Sequence, residues 1–531
     1  MTPSASSVPP ASVAPWREVE IELTAVTSHD APYADVEVWA DFACGSTVLR
    51  RPAFWDGADR WRLRFAPPHA GTWSWASGAD VDDPGLVGRS GTVLCADGRD
   101  DPQPDVRAFR HGFWRMSASG RQLVHADGTP ALMVADTAWA LPWRATPDQA
   151  LAYARDRRAK GFNAVLLMTV QPDMRAVGPR DRSADHGFDV AFEDLARGHL
   201  RELKPDYFGR FDVLVDILVA HDLVPVLQPV FQGFGWKGLD VAGTVVPDEE
   251  YARYCRYLVA RYGARPAVYL VGGDGSGEEP QVAAGGEEVH AWDAYGQPTG
   301  IHYRPHATNR AHQDAPWLDF QSCQTGHEAE HLPERVADMW RNTPAKAVLN
   351  LEPTYENTCE RGRATGWWQG HEAWSNLCAG GTMGVGYGAA GLWQWRLHPD
   401  EPGHPEGFLC PHAGWREAVD FEGSTCVGLV GRILRHLPFA GMEPNWTSAL
   451  GGRGLSVPGE LLVLYRDGAK VVKLMDADLP RHLCVLDPRS GDVLEQRLLD
   501  PVPEELHNPV GEPRLYVFTH RAIRWDLSLT R

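Results

Sequence analysis

Two acidic residues stand where apolar stretches of the chain end. Glu352 follows the apolar run in "VLNLEPTYEN" (348–357), and Asp274 follows the one in "VYLVGGDG" (268–275). A pair of carboxyl groups can cleave a glycosidic bond, one as a general acid and the other as a nucleophile or a base. When the two carboxyl groups are about 5–5.5 Å apart, the reaction retains the anomeric configuration and proceeds through a covalent glycosyl intermediate. Such chemistry requires a fold that brings these two distant side chains together.

The carboxyl group that acts as the acid must hold a proton at the working pH. We expect burial and the negative charge of the second carboxylate to raise the pKa of that acid. Once the second carboxylate is glycosylated and neutral, the pKa should fall, so that the first group can then act as a base. Taken singly, each acid could instead cap a helix or pair with an arginine. The presence of two acids at strand ends, with Trp and Gln residues nearby, favours a catalytic role for the pair.

The segment 105–440 alternates predicted strands with predicted helices. Continuous apolar runs such as "PALMVAD" are typical of buried parallel strands. Between the first two strands, Thr146 can cap a helix, Gln149 can close the capping box, and Gly161 can end that helix. The eight predicted strands lie at 130–136, 163–170, 223–231, 267–274, 299–306, 317–324, 345–353 and 389–395. The pattern predicts an α/β fold, a (β/α)8 or TIM barrel.

In such a barrel the active site lies at the C-terminal ends of the strands. Asp274 then follows the fourth strand and Glu352 the seventh, on opposite walls of the mouth. Several of the 21 Trp residues are candidates for sugar-stacking platforms. The further candidate substrate-binding residues at the strand ends are Asp136, Trp139, Gln171, Gln228, His302, His306, Gln324, His327, Trp393 and Trp395.

Short runs of alternating polarity flank the barrel on both sides. Runs such as "EVEIELTAV" and "GTWSWAS" predict an N-terminal Ig-like β-sandwich over 17–104. Runs such as "ELLVLYRD" and "KVVKLMDA" predict a small C-terminal β-domain, a second sandwich, over 441–531. Residues 1–16 lack the basic and apolar regions of a secretory signal, and we expect them to form a disordered tail.

Composition limits the class of function. A net charge of −19 disfavours nucleic acid and anionic membrane surfaces as partners. The nine Cys residues are scattered without metal-ligand spacing, which favours reduced thiols and a cytoplasmic location. We expect a small carbohydrate as the substrate, with no metal, no cofactor and no membrane span, and we leave the formation of a homo-oligomer open.

Residues 105 to about 500 resemble the apiosidase-like glycoside hydrolases. The resemblance rests on "HGFWRMSASGRQLVHADGTPALMVADTAW", "VYLVGGDG", "LDFQSCQTGH", "LNLEPTYEN" and "GTMGVGYGAAGLWQW". It implies a (β/α)8 glycosidase often preceded by an Ig-like domain, with Asp274 as the general acid/base and Glu352 as the nucleophile. It further implies sugar contacts from Asp136, His327, Tyr355 and Trp393.

The chain departs from the pattern of related glycosidases at two strands. The fourth strand ends in Gly273-Asp274 where the larger clan usually has Asn-Glu, and Asp is one methylene shorter than Glu. We therefore expect Asp274 to lie on a more intrusive loop, or the sugar to lie deeper. The fifth strand has Tyr303-Arg304-Pro305 where a Tyr-His-Pro is common. This difference concerns the sugar specificity more than the chemistry of bond cleavage.

Two alternatives to a retaining exo-glycosidase on a small furanoside stay open at this point. A non-catalytic, carbohydrate-binding barrel is one, although such a barrel often lacks one of the two acids. The other is a zinc protease, because "HEAEH" (327–331) matches the HExxH pattern. That motif needs both His residues on one continuous helix, and Pro333 favours a helix that begins only near 332.

Overall fold

The computed structural model describes residues 12–97, 103, 106–175, 190–233, 240–326, 333–358, 364–399, 413–476 and 478–529. Three sheet-based units follow one another along the chain: an N-terminal β-domain, a closed parallel barrel, and a C-terminal β-domain. The predicted α/β architecture, a (β/α)8 barrel flanked by two β-domains, is confirmed.

The N-terminal β-domain is a seven-stranded sheet with the order β1-β7-β6-β3-β4-β5-β2. Alternating residues such as Phe42, Leu63 and Trp73 are fully buried and form a core of their own. Its elements are β1 (Ser12–Val13), β2 (Val19–Thr24), α1 (Pro32–Asp35), β3 (Val38–Cys44), β4 (Thr47–Trp55), β5 (Arg60–Phe65), β6 (Gly71–Ala79) and β7 (Ser90–Cys95). The strand β1 pairs in parallel with β7, although it falls within the segment predicted to be a tail.

A short connecting region leads into the barrel. It contains α2 (Arg107–His111) and the small sheet of β8 (Trp114–Met116), β9 (Leu123–His125) and β10 (Pro130–Ala131). The eight barrel strands are β11 (Met133–Thr137), β12 (Ala164–Met168), β13 (Val224–Gln228), β14 (Val268–Gly275), β15 (Thr299–Tyr303), β16 (Phe320–Gln324), β17 (Ala347–Glu352) and β18 (Gly384–Tyr387). They close in sequence order, and every residue in them is buried, as the apolar runs predicted.

Helices surround the barrel. They are α3 (Leu141–Arg144), α4 (Pro147–Lys160), α5 (Pro205–Ala220), α6 (Asp248–Tyr262), α7 (Pro280–Trp292), α8 (Pro333–Trp340), α9 (Trp367–Cys378), α10 (Trp415–Val419) and α11 (Glu422–Leu434), with short 3-10 turns at Leu195–Arg197 and Ala242–Thr244. The α4 helix has the predicted capping box between Thr146 and Gln149, and Gly161 ends it in the left-handed conformation.

The eighth strand was predicted in the wrong place. It was expected at 389–395, but β18 is Gly384–Tyr387 and the residues after it form turns. A Cβ atom on Gly384 would lie 2.3 Å from the Met133 carbonyl oxygen, and one on Gly386 would lie 2.6 Å from that of Leu351. The barrel closes at β18 because these glycines let the neighbouring backbones approach. With glycine at two of its four positions, β18 lacks the continuous apolar run that predicts a buried strand in a sequence.

The C-terminal β-domain is a six-stranded sheet with the order β19-β20-β21-β26-β23-β24, next to a two-stranded sheet of β22 and β25. Its strands are β19 (Glu443–Asn445), β20 (Gly454–Val457), β21 (Leu461–Arg466), β22 (Val471–Lys473), β23 (His482–Leu486), β24 (Val493–Leu498), β25 (Glu505–His507) and β26 (Arg514–Thr519).

Among the described residues, none of the helices combines the length and apolar character needed to span a bilayer.

An interdomain ion cluster of Arg64, Asp212 and Arg261 joins the N-terminal β-domain to the barrel. Arg64 of β5 donates to Asp212 of α5 at 2.7 Å, and Arg261 of α6 donates to both oxygens of the same carboxylate at 2.9 Å. The side chains are 5%, 13% and 2% exposed, respectively. Because the charges are paired where water is scarce, the cluster fixes the β-domain against the outer helices of the barrel.

Candidate active site

Asp274 reaches the barrel mouth through an irregularity in β14. The register between β14 and β15 shifts between Gly273 and Gly275, and Asp274 itself has a φ of 56°. A non-glycine residue in this region is uncommon and is often found at functional sites. A bulge at this point can redirect the side chain of an acid that is one methylene shorter than Glu.

Three side chains meet at the mouth and form an acid–histidine trio: Asp274, His302 and Glu352. The Nε2 atom of His302 lies 2.8 Å from Glu352 Oε2 and 3.0 Å from Asp274 Oδ1. One carboxylate oxygen of each acid and this nitrogen all lie within 4.8 Å of one another. The acids are 6% and 4% exposed, and the histidine is fully buried. The fold thus brings the two predicted acids to a distance at which both could act on one bond.

The imidazole of His302 is held between the two acids. Burial alone would lower its pKa, but the hydrogen bonds and charges of Asp274 and Glu352 outweigh burial and raise the pKa to about 9. Below that pH the ring carries a proton shared among the trio. This central position differs from the sugar-contacting role predicted for His302, and it explains how two buried carboxylates can lie so close together.

A hydrogen-bond chain that sequence reasoning missed supports the backbone around Glu352. The Glu352 amide donates to Asn350 Oδ1 at 3.2 Å, and the Asn350 amide group donates to Thr325 Oγ1 at 2.9 Å. On the other side, the Thr354 amide donates to Glu372 Oε2 at 3.2 Å. Burial raises the pKa of Glu372 to about 7. A lone Glu in the helical stretch "WWQGHEAW" carries no signal of this role.

Aromatic side chains stand beside the trio. Trp139 Nε1 donates to Tyr355 Oη at 3.1 Å, and the Trp139 ring lies 5.7 Å from that of His302. Burial and the charges of Glu352 and Asp274 raise the pKa of Tyr355, in keeping with its place next to the trio. Trp393 is half-buried, 6.3 Å from the Tyr355 ring. The structure therefore gathers these predicted contacts on one side of the acids.

Three predicted glutamines also lie at the ends of the barrel strands. Gln228 packs against Gly273. A Cβ atom at position 273 would lie 2.2 Å from the side-chain amide of Gln228, so the glycine leaves room for the Gln228 side chain beside Asp274. Gln324 is in register with Glu352 across β16 and β17. Within the described structure, Gln171 Oε1, Gln324 Oε1 and both amide atoms of Gln228 are buried without a hydrogen-bond partner. Buried polar atoms of this kind require a polar ligand or water.

Two predicted contacts are placed elsewhere by the fold. The Asp136 carboxylate accepts from Tyr153 at 2.7 Å and from Arg157, both on α4, so it points out of the barrel and is fully buried. Trp395 is also fully buried; it stacks on Trp415 and donates to a side chain of α4. Asp136 and Trp395 thus join the barrel to its outer helices and do not reach the mouth.

Of the two remaining predicted histidines, the structure describes His306. His306 lies in an exposed turn after β15, with a φ of 65°. His327 and the rest of the "HEAEH" motif lie outside the described residues. The next helix, α8, begins at Pro333, as the proline position indicated.

Among the described residues, the acid–histidine trio is the set whose ligand atoms are close enough to hold a metal ion. An imidazole nitrogen and carboxylate oxygens are suitable ligands for zinc and similar divalent ions. The hydrogen-bond distances within the trio are equally well explained by the proton on His302.

Paired acids in the mouth of a (β/α)8 barrel, with tryptophans beside them, are the arrangement of a glycoside hydrolase. A family model for the apiosidase-like catalytic domain matches residues 117–441. The chain belongs to this family and is a glycoside hydrolase. Residues 12–80 match a domain of unknown function, DUF5060, which coincides with most of the N-terminal β-domain.

Solved structures share this fold. A glycoside hydrolase family 5 protein from Bacteroides vulgatus ATCC 8482 is 18% identical, with a TM-score of 0.64 over 77% of this chain and 93% of that chain. A further structure from the same organism is 16% identical, with a TM-score of 0.67 over 96% of this chain and 100% of that chain. The second alignment thus takes in nearly the whole three-unit arrangement. A search of curated proteins finds no match to this chain.

Proposed function

We propose that the chain is a retaining, exo-acting glycoside hydrolase that removes a single furanose unit from a small glycoside or oligosaccharide. The observation that carries the proposal is the acid–histidine trio, in which carboxylate oxygens of Asp274 and Glu352 lie within 4.8 Å of each other. This close approach of one oxygen from each acid supports the short carboxyl separation of a retaining pair, about 5–5.5 Å, over the wider one of an inverting pair.

In the first step of this mechanism, Glu352 attacks the anomeric carbon while Asp274 gives a proton to the departing glycosidic oxygen. The C–O bond to the leaving group breaks and an ester bond between Glu352 and the sugar forms. In the second step, Asp274 takes a proton from water, whose oxygen attacks the anomeric carbon and releases Glu352 as a carboxylate. Each acid returns to its starting state, and one water is consumed per bond.

His302 positions the acids in this mechanism. Its Nε2–H lies at hydrogen-bond distance from an oxygen of each acid, so it can hold Glu352 in line for attack. It also keeps a proton beside Asp274, from which the acid can be supplied. When Glu352 becomes an ester, one negative partner of the imidazolium is lost, and Asp274 is freed to act as a base.

The furanose preference is supported by the apiosidase-like family and by the side chains around the acids. Buried Trp139 and Tyr355 and half-buried Trp393 form an apolar group next to the trio. The partnerless amide atoms of Gln171, Gln228 and Gln324 are suited to sugar hydroxyl groups or to the waters that accompany them. These groups are uncharged, which fits a neutral sugar.

A screen of aryl furanosides and aryl pyranosides tests the proposal. We expect release of the aryl alcohol from at least one furanoside, and no release by Glu352→Gln beyond background. Release by Asp274→Asn should fall most for the aryl alcohols of highest pKa, which need protonation to depart. Cleavage confined to pyranosides would overturn the furanose preference, and a ladder of products from a long polysaccharide would overturn exo action.

A further inference from the structure

The β24 strand is an open edge of the C-terminal β-domain. It is the last strand in the sheet order, and within the described chain it pairs with β23 alone. All six of its residues are exposed, including Val493, Leu494 and Leu498 at 42%, 48% and 62%. Exposed edge strands with apolar side chains are templates for pairing with another strand.

The sequence of β24, "VLEQRL", is complementary to itself in one antiparallel register. Residues opposite each other in an antiparallel pair are of the same hydrogen-bonding type, so a two-fold axis must pass through a residue. An axis at Glu495 would place two glutamates opposite each other, and an axis at Arg497 would do the same with two arginines. An axis at Gln496 instead places Glu495 opposite Arg497 twice.

We propose that β24 is a homodimer interface, through which two copies of the chain pair their edge strands in antiparallel fashion about an axis at Gln496. Glu495 already pairs with Arg497 within one chain. In the dimer the four side chains form an alternating square of charges on one face of the joined sheet. Opposite charges directly across an antiparallel pair stabilise it, and like charges destabilise it.

The geometry of β24 also limits the strength of the dimer. The register against β23 shifts between Val493 and Glu495, so the ladder is regular only from Glu495 to Leu498. A short paired segment buries little area, which is typical of weak, transient association. We therefore expect a dimer that forms at micromolar or higher concentration and weakens with added salt, because exposed charge pairs are screened.

Charge reversal at Glu495 and Arg497 tests whether the two copies pair in the register with its axis at Gln496. In sedimentation analysis of the full chain, Glu495→Arg or Arg497→Glu alone should raise the dimer dissociation constant about 10- to 30-fold, because two pairs per dimer change sign. The double variant E495R/R497E should restore wild-type association. A mixture of the two single variants should form a heterodimer, since one copy then carries two arginines and the other two glutamates.

Lys473→Glu provides the matched control, because it reverses one member of the exposed pair with Glu505 on the other sheet of the same domain. It should leave association unchanged. Far-UV circular dichroism and the melting temperature confirm that each variant is folded. A wild-type chain that stays monomeric at 100 μM and above, or single variants that dimerise as tightly as the wild type, would overturn the proposal.

Discussion

Two of the buried charge clusters in the described part of the chain are built in opposite ways. In the interdomain ion cluster, Asp212 is held by Arg64 and Arg261. Burial alone would raise the pKa of Asp212, but the two guanidinium groups outweigh it and hold the pKa well below its usual range. In the acid–histidine trio, two carboxylates share one imidazole whose pKa is raised to about 9.

The difference lies in whether the partner can release a proton. Arginine stays charged at every accessible pH, so a carboxylate paired with it is fixed in one state and serves only to join elements. Histidine can lose its proton, and two acids beside it can exchange charge during a reaction. The titratable histidine therefore distinguishes the chemical site from the structural one, whose carboxylate is held by arginines.

The largest expected effect is that of Glu352→Gln. Loss of the attacking carboxylate should lower kcat by about 10⁴-fold or more, with the fold intact because the amide keeps the shape of the side chain. Stopped assays on the best aryl glycoside measure it. Glu356→Gln, at a buried Glu on the same loop, is the control and should keep most of the turnover. Unchanged turnover in Glu352→Gln would remove this residue from the mechanism.

Asp274→Asn should have the next largest effect. General acid–base catalysis contributes about 10²–10⁴-fold, and the loss should depend on the leaving group. A phenol of low pKa needs little protonation, so the first step should be nearly normal for dinitrophenyl glycosides and strongly impaired for alkyl glycosides. An equal loss on both substrates would contradict the role of Asp274 as the acid.

His302→Asn should give an intermediate effect and change the pH dependence. Because the pKa of His302 is raised to about 9, the wild-type ring is protonated at neutral pH and loses its proton as the pH rises through that value. The wild-type kcat/KM should therefore fall on the alkaline side near pH 9. In His302→Asn we expect a roughly 10- to 100-fold lower kcat and loss of that alkaline limb. Ser322→Ala removes the 3.4 Å contact to Nδ1 and the 3.3 Å hydrogen bond that Ser322 Oγ accepts from the Leu351 amide, and it should keep the limb.

Asp212→Asn should affect stability and leave the kcat of the folded enzyme unchanged. Removing one partner of a buried ion pair costs about 3–5 kcal/mol in the free energy of unfolding when the remaining charge has no other partner. Arg64 keeps Glu20 at 2.9 Å and Arg261 keeps Asp56 at 3.0 Å, so we expect a loss at the lower end of that range. The lowered pKa of Asp212 means that its contribution is present above the unfolded-state value, about 3.9, and is lost as the pH falls below it. Urea unfolding at pH 7 and pH 3 measures both effects; an equal stability loss at the two pH values would contradict this account.

The smallest expected effect is that of a metal chelator. If a proton holds the trio together, prolonged dialysis against EDTA should leave kcat/KM unchanged. Loss of activity that zinc or another divalent ion restores would show that the trio is a metal site and would replace the double-displacement mechanism.

Much of the barrel could be predicted because seven of its strands are apolar runs that end in polar residues. The eighth could not, since β18 is selected for close backbone approach at Gly384 and Gly386. The same limit applies to side-chain direction. Asp136 lies near a strand end, as predicted, whereas Trp395 lies in the turns after β18; their α4 partners turn both side chains away from the mouth. The sequence does not reveal such partners, and neither could it reveal that His302 joins the two acids.

Azide rescue of the two acid variants tests the central claim most directly. With azide as the external nucleophile, Glu352→Ala should yield a glycosyl azide of inverted anomeric configuration, because azide occupies the space of the lost carboxylate. Asp274→Ala should yield the azide with retained configuration, because azide then attacks the glycosyl ester on Glu352. Proton NMR of the products distinguishes the anomers. The same anomer from both variants, or rescue of neither, would contradict the assignment of Glu352 as nucleophile and Asp274 as acid/base.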